Sequence, residues 1–181
     1  TADPRRAGSI PAAIQSPSTL ELIDSMRAAG ARDGTVVVDS APYAHAEYPG
    51  ARTATPLLLR VTPVARALYC EERFGPVGFV IETDDAAAAL QAAVSDVREA
   101  GGITAFAYST RDEFLAVAES AYAAAGAQLT CNLTGPMPLN FAASYSDYHV
   151  TGLNPAGNAT LTDASFVTAR FRVAQSRRPV A

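Results

Sequence analysis

The fold is decided by residues 77–133, which read VGFVIETDDAAAALQAAVSDVREAGGITAFAYSTRDEFLAVAESAYAAAGAQLTCNL. An apolar, β-branched segment leads into an alanine-rich helical segment that ends at a Gly-Gly pair, and the alternation then repeats. The pattern predicts strands at 77–83, 103–109 and 128–133, with helices between them that end near Ala100 and Ala125. Strand-helix-strand-helix-strand at these lengths implies two right-handed crossovers. We therefore expect an α/β fold, with a mostly parallel sheet and helices on both of its faces.

Upstream of this stretch, the sequence predicts one helix and two strands. Ser18 or Thr19 can cap a helix in which apolar residues recur at helical spacing, and Gly30 is expected to end it. A β-branched strand follows at 35–38. A second strand at 56–61 is continuous in apolar residues, so we expect it to be buried on both faces.

The same patterns predict the organisation of the chain. We expect one α/β domain at 18–163, after an irregular lead-in at 1–17 and before a strand and tail at 164–181. Residues 134–162 show no sustained period, and a loop of this length in a compact domain is usually functional or disordered. Its aromatic residues and few charges argue against disorder. Residues 165–173 then alternate with a period of two, which predicts a final strand.

Size and charge exclude several classes of protein. The chain has 181 residues and a net charge of −4, and its basic residues are all arginines. Without a stripe of clustered positive charge, nucleic acid is not an expected partner. The apolar runs are shorter than the roughly 20 residues that span a bilayer, so no membrane is expected either. The chain opens at Thr1 without a signal-peptide pattern, and we expect a processed or excised product.

The cysteines and histidines offer no complete catalytic or metal site. Cys70 and Cys131 match neither a disulfide framework nor a zinc pattern, which favours a reducing cytoplasm. Cys131 is in the middle of a predicted strand, so we interpret it as a buried structural thiol, and the glutamates beside Cys70 disfavour its thiolate. The only histidines are His45 and His149, whereas metal sites generally need three or four ligands, so no metal is expected. Asp147 and His149 are interpreted as a polar loop pair.

The most informative short run is at 71–77 and reads EERFGPV. A glutamate just before a turn into a parallel strand is well placed to accept hydrogen bonds from ribose hydroxyls, because ligands of α/β sheets bind at such positions. The plainer interpretation is a glutamate pair that closes a helix before a Gly-Pro turn. The chain contains no Gly-x-Gly-x-x-Gly turn after a strand.

This run and its surroundings resemble the aldehyde dehydrogenase superfamily, whose Glu-x-Phe-Gly-Pro signature matches 72–76. The resemblance extends over the strands and helices that follow, in the order of the half of the catalytic domain after the nucleophilic cysteine. Within the superfamily, the tail is similar to the PaaN-type phenylacetic-acid-degradation dehydrogenases. The segments that carry this finer similarity are 131–135 (CNLTG), 146–149 (SDYH), 152–155 (GLNP) and 171–178 (FRVAQSRR).

The resemblance implies roles for three residues. Glu72 would hold a ribose of NAD or NADP, Phe74 would pack beside the nicotinamide, and Tyr145 would line the aldehyde tunnel. The family's nucleophilic cysteine, general base and cofactor glycines have no counterpart, so no catalytic residue is assigned and the isolated chain is expected to be inactive. The strand from Phe166 to Val173 resembles the family's oligomerisation strand, and a dimer or other homo-oligomer is therefore expected.

The parent protein would oxidise an aldehyde to an acid and pass the hydride to NAD(P)⁺. The PaaN type implies a semialdehyde formed in phenylacetate breakdown and carried as a coenzyme A thioester. Arg177 and Arg178 are then either a solvated end or a contact for its phosphates. The alternative function is a stand-alone, non-catalytic α/β assembly module that pairs through its C-terminal edge strand.

Overall fold

A computed structural model describes residues 13–102, 104–134 and 176–178. The chain divides into two compact units, Thr1–Ala86 and Ala87–Ala181. Each unit has its own three-stranded sheet and its own apolar core. The domain boundaries expected from the sequence remain a prediction.

The first unit combines one long helix with a sheet in the order β1-β2-β3. Strand β1 is antiparallel to β2, and β2 is parallel to β3. The core of the unit lies between the long helix α1 and the central strand β2, where Ile23 and Met26 share a cluster with Leu57 and Leu59. The elements are α1 (Pro17–Asp33), β1 (Gly34–Val38), β2 (Leu57–Val61), a 3-10 turn (Pro63–Ala65), α2 (Arg66–Tyr69) and β3 (Val77–Ile81).

Helix α1 departs from the sequence prediction at both ends. Ser16 caps it, rather than Ser18 or Thr19, and its side chain accepts a hydrogen bond from the backbone N–H of Ser18 at 3.2 Å. Gly30 does not end the helix, which continues to Asp33. Gly30 is buried instead, and a Cβ atom there would lie 2.5 Å from Cδ2 of Leu59. The glycine therefore allows the helix to approach the sheet closely.

Strand β2 is buried on one face only, so the expectation of burial on both faces is wrong. Leu57, Leu59 and Val61 are buried, and the intervening Arg60 is exposed. The Arg60 guanidinium lies 3.5 Å from a carboxylate oxygen of Glu82. A charged side chain such as that of Arg60 is rarely buried without a partner, so the face of β2 opposite α1 is exposed to water at this residue.

The second unit repeats the strand-helix alternation around a sheet in the order β4-β5-β6. Both pairings in this sheet are parallel. All four residues of β5 are buried. Gly126 ends the helix Asp112–Ala125 at φ 78°, in the left-handed region that glycine adopts freely. The elements are α3 (Ala86–Ala100), β4 (Thr104–Ala107), α4 (Asp112–Ala125), β5 (Gln128–Cys131) and β6 (Ser176–Arg177).

The predicted α/β class is confirmed, and each strand and helix expected within 77–133 has a counterpart. In the described residues, however, the strands form two sheets of three rather than a single sheet. The pairing of β1 with β2 is antiparallel, and the other three pairings are parallel. No described helix is long and apolar enough to cross a membrane. The strand expected at 165–173 lies outside the described residues.

Candidate functional site

The run singled out in the sequence forms the loop between α2 and β3. Helix α2 ends at Tyr69, and the backbone N–H of Cys70 donates to the Arg66 carbonyl at 3.0 Å. The glutamates Glu71 and Glu72 therefore follow the helix rather than forming its last turn. Both are exposed.

Arg73 braces this loop from within. Its side chain is only 19% exposed, and Nη2 donates to a carboxylate oxygen of Glu71 at 2.7 Å. Its Nε is buried and has no hydrogen-bond partner in the part of the chain that the structure describes. The flanking residues are exposed, Phe74 by 79%. Glu72 and Phe74 are thus available to a ligand, whereas Arg73 holds the loop.

The Gly-Pro turn fixes the end of the loop on the first unit. The Leu57 N–H donates to the Pro76 carbonyl at 2.8 Å, and the Val77 N–H donates to the Gly75 carbonyl at 2.8 Å. A Cβ atom at Gly75 would lie 3.2 Å from Cγ2 of Thr19 on α1. The loop is therefore positioned by both the helix and the sheet.

A mostly apolar cleft lies beside this turn. Its volume is about 440 Å³, and it is lined by Val38, 55–58 and 75–78. Small-molecule sites are commonly clefts of roughly 300–1,000 Å³ with apolar walls and a few polar groups. The exposed Glu72 precedes the lining residue Gly75 by three positions in the sequence, and Asp39 directly follows the lining residue Val38. The loop and the cleft together form the candidate site.

A second groove, of about 590 Å³, lies between α3 and α4 in the second unit. Apolar residues, including Leu90, Val94 and Phe114, contribute to its lining. Arg98, Arg111 and Glu113 also line it. We assign this groove no function.

Neither cysteine is placed to act as a nucleophile. Cys131 is completely buried in β5, and its burial raises the pKa of the thiol. A raised pKa keeps the sulfur protonated at neutral pH, whereas the attacking species would be the thiolate. The expected burial of Cys131 is confirmed. Cys70 is half-buried and directly precedes Glu71.

His45 stabilises the loop that contains it through hydrogen bonds to the loop backbone. Its Nδ1 accepts hydrogen bonds from the backbone N–H groups of Glu47 and Tyr48, both at 3.2 Å. The His45 and Tyr48 rings pack with their centroids 5.1 Å apart. The described residues contain no group of three or more His, Cys, Asp or Glu side chains that could hold a metal ion.

Sequence reasoning missed the role of Asn132, which joins the carboxyl ends of β4 and β5. Its Nδ2 donates to the Ser109 carbonyl and its Oδ1 accepts from the Ser109 N–H, both at 2.9 Å. Its own N–H donates to the Ala107 carbonyl at 2.8 Å. The backbone of Asn132 is left-handed, with φ 50°, a conformation that asparagine tolerates better than most residues. The sequence signal that could have indicated this role is an asparagine directly after a predicted strand.

Arg178, expected to be a solvated end or a phosphate contact, is exposed but forms an ion pair. Its guanidinium donates to both carboxylate oxygens of Glu119, at 2.6 and 2.9 Å. Hydrogen bonds from Arg178 and then from Ser176 hold the pKa of Glu119 below its ordinary value. Sequence patterns could not reveal this pair, because 59 residues separate its members.

Several residues singled out in the sequence lie outside the described residues. Tyr145, the expected tunnel aromatic, is one of them, as are Asp147 and His149. The expected oligomerisation strand, 166–173, also lies outside the described residues. Of the three residues expected to contact cofactor or substrate, the structure therefore places Glu72 and Phe74.

Comparison with solved structures identifies a similar protein, an NAD-dependent aldehyde dehydrogenase from Burkholderia multivorans. The two chains are 39% identical, and their structures superpose with a TM-score of 0.78. The similarity covers 96% of this chain but only 32% of the dehydrogenase. No protein-family model and no curated protein matches the chain. The comparison supports the resemblance at the level of the aldehyde dehydrogenase superfamily, without singling out the PaaN type.

Proposed function

We propose that this chain is part of an NAD(P)-dependent aldehyde dehydrogenase and that its 70–76 loop faces the cofactor. The observation that carries the proposal is the similarity to the Burkholderia multivorans enzyme, which extends over 96% of the chain at 39% identity. The chain spans about a third of that enzyme, so the activity is proposed for a longer parent protein.

The residues of the loop fit a nicotinamide cofactor. An exposed carboxylate such as Glu72 can accept two hydrogen bonds from neighbouring ribose hydroxyls, and charge-assisted bonds of this kind are about twice as strong as neutral ones. The exposed ring of Phe74 offers an apolar surface for the flat nicotinamide. When bound, the cofactor accepts the hydride of the aldehyde. The backbone hydrogen bond from Leu57 to Pro76 attaches the end of the loop to the sheet, so less ordering is needed when the ligand binds.

The covalent step of aldehyde oxidation requires a thiolate. Cys131 is buried and protonated, and Cys70 lies beside two carboxylates, so neither is assigned this role. We therefore assign the nucleophile to the parent protein outside these 181 residues.

The finer assignment rests on the segments that resemble the PaaN type. On that basis the substrate is a semialdehyde from phenylacetate breakdown, carried as a coenzyme A thioester, and Tyr145 lines its channel. The parent is a cytoplasmic homo-oligomer that pairs through the strand from Phe166 to Val173. An aldehyde panel that includes coenzyme A thioesters would test the substrate class.

Replacing Glu72 by glutamine in the parent enzyme is expected to raise KM for NAD(P)⁺ about tenfold, because a charge-assisted contact to ribose becomes a neutral one. KM for the aldehyde should change little, since the contact involves only the cofactor. Steady-state kinetics with each substrate varied in turn would measure both constants.

The matched control is Glu21→Gln, which neutralises an exposed carboxylate on α1. This variant should behave like the wild type. If Glu72→Gln and Glu21→Gln gave the same KM for NAD(P)⁺, the assignment of Glu72 to the ribose would be wrong.

A further inference from the structure

The last described residues, 176–178, are seated on the edge of β5. Ser176 pairs with Leu129 and Arg177 pairs with Thr130 in a parallel ladder. This strand is only two residues long, whereas strands in globular proteins usually have three to ten residues. Backbone pairing alone would therefore hold the segment weakly.

Glu119, on helix α4, attaches the segment further through side-chain hydrogen bonds. Its carboxylate accepts a hydrogen bond from Ser176 Oγ at 2.6 Å and two more from Arg178, at 2.6 and 2.9 Å. A fork of two parallel N–H···O bonds is the strongest geometry for an arginine–carboxylate pair. The side chains of Glu119 and Arg178 are 28% and 35% exposed, so water screens the pair only in part. A second carboxylate, that of Asp112, lies 3.8 Å from Arg178 Nη1.

The same segment lies beside Cys131. This residue follows Thr130, the last residue of β5 in the ladder, and it has no exposed surface. One short segment therefore pairs with the backbone edge of β5 next to this buried sulfur.

We propose that residues 176–178 form a latch that Glu119 holds closed and whose opening exposes the β5 edge and the Cys131 thiol. The inference is independent of the proposed enzymatic activity, because it uses no residue of the 70–76 loop. An uncovered β5 would present unpaired backbone groups, which are a template for pairing with another strand.

Thiol reactivity measures the opening of the latch. In a Cys70→Ser background, Cys131 is the single thiol, and its reaction with a chromogenic aromatic disulfide follows the population of the open state. Glu119→Gln and Arg178→Gln, made separately, are each expected to increase the reaction rate about tenfold, because each breaks the charged fork. Glu113→Gln is the matched control, an exposed carboxylate on the same helix that takes no part in the latch.

The urea midpoint of each variant distinguishes loss of global stability, which lowers the midpoint, from local opening of the latch, which leaves the midpoint unchanged. The proposal requires a faster reaction of Cys131 with a nearly unchanged midpoint in Arg178→Gln, whose side chain lies outside α4. It is overturned if the three variants react at the same rate, or if the rate rises only in proportion to lost global stability. If Glu119→Gln fails to fold, Arg178→Gln decides the outcome from the other side of the contact.

Discussion

Replacing Gly34 by alanine is expected to destabilise the first unit by about 3 kcal/mol, because the added methyl group cannot be accommodated between β1 and β2. A Cβ atom at this position would lie 2.2 Å from the Arg60 carbonyl oxygen and 2.9 Å from Cγ1 of Val61. The carbonyl is backbone, so no change of side-chain rotamer can relieve the clash. Since Gly34 pairs with Val61, the ladder itself must shift. Urea unfolding followed by circular dichroism would measure the loss.

Gly50→Ala is the matched control for this prediction. A Cβ atom there would meet nothing within 4 Å, and Gly50 lies in an exposed turn. Its free energy of unfolding should stay within about 0.5 kcal/mol of the wild type. Equal stabilities of the two variants would show that β1 does not approach β2 as described.

Replacing Asn132 by alanine is expected to destabilise the second unit by about 3 kcal/mol. The change removes two part-buried hydrogen bonds to the Ser109 backbone, each worth roughly 0.5–1.5 kcal/mol. It also places alanine in the left-handed backbone conformation, which alanine tolerates less well than asparagine by roughly 1 kcal/mol. The urea midpoint, read by a probe in this unit, would report both effects together.

Asn132→Gly separates the two contributions, because glycine adopts φ 50° without strain but cannot bond to Ser109. It should be less destabilising than Asn132→Ala by about 1 kcal/mol. If glycine at this position were as stable as the wild-type asparagine, the link between β4 and β5 would contribute nothing, contrary to the account given above.

The features predicted correctly depend on local sequence patterns. The alternation of strands and helices across 77–133 is encoded in hydrophobic periodicity and in glycines at helix ends, which neighbouring residues determine. Gly30 was misinterpreted because its role depends on Leu59, a residue on a different element. Burial of β2 on both faces was wrongly expected because the leucines at 57–59 outweighed Arg60, the one residue in the strand that indicated an exposed face.

The candidate site likewise combines features that local sequence patterns indicate with features that only the folded structure reveals. Glu72 and Phe74 were predicted as cofactor contacts through a short motif and a family resemblance. The structure shows both to be exposed, and their contact with a cofactor stays a prediction. The bracing role of Arg73 requires knowledge of burial, which the sequence does not contain. The contact between Glu119 and Arg178 joins residues that are far apart in the chain, and only the folded unit brings them together.

The central claim, that this sequence is part of a longer aldehyde dehydrogenase, is tested most directly by the mass of the polypeptide that carries it in its native cells. An antibody raised against the purified chain would detect that polypeptide in a fresh extract by immunoblot. If the chain is part of a longer dehydrogenase, the band will be much larger than 18.8 kDa. A single band at 18.8 kDa would contradict this claim and would favour the stand-alone assembly module instead.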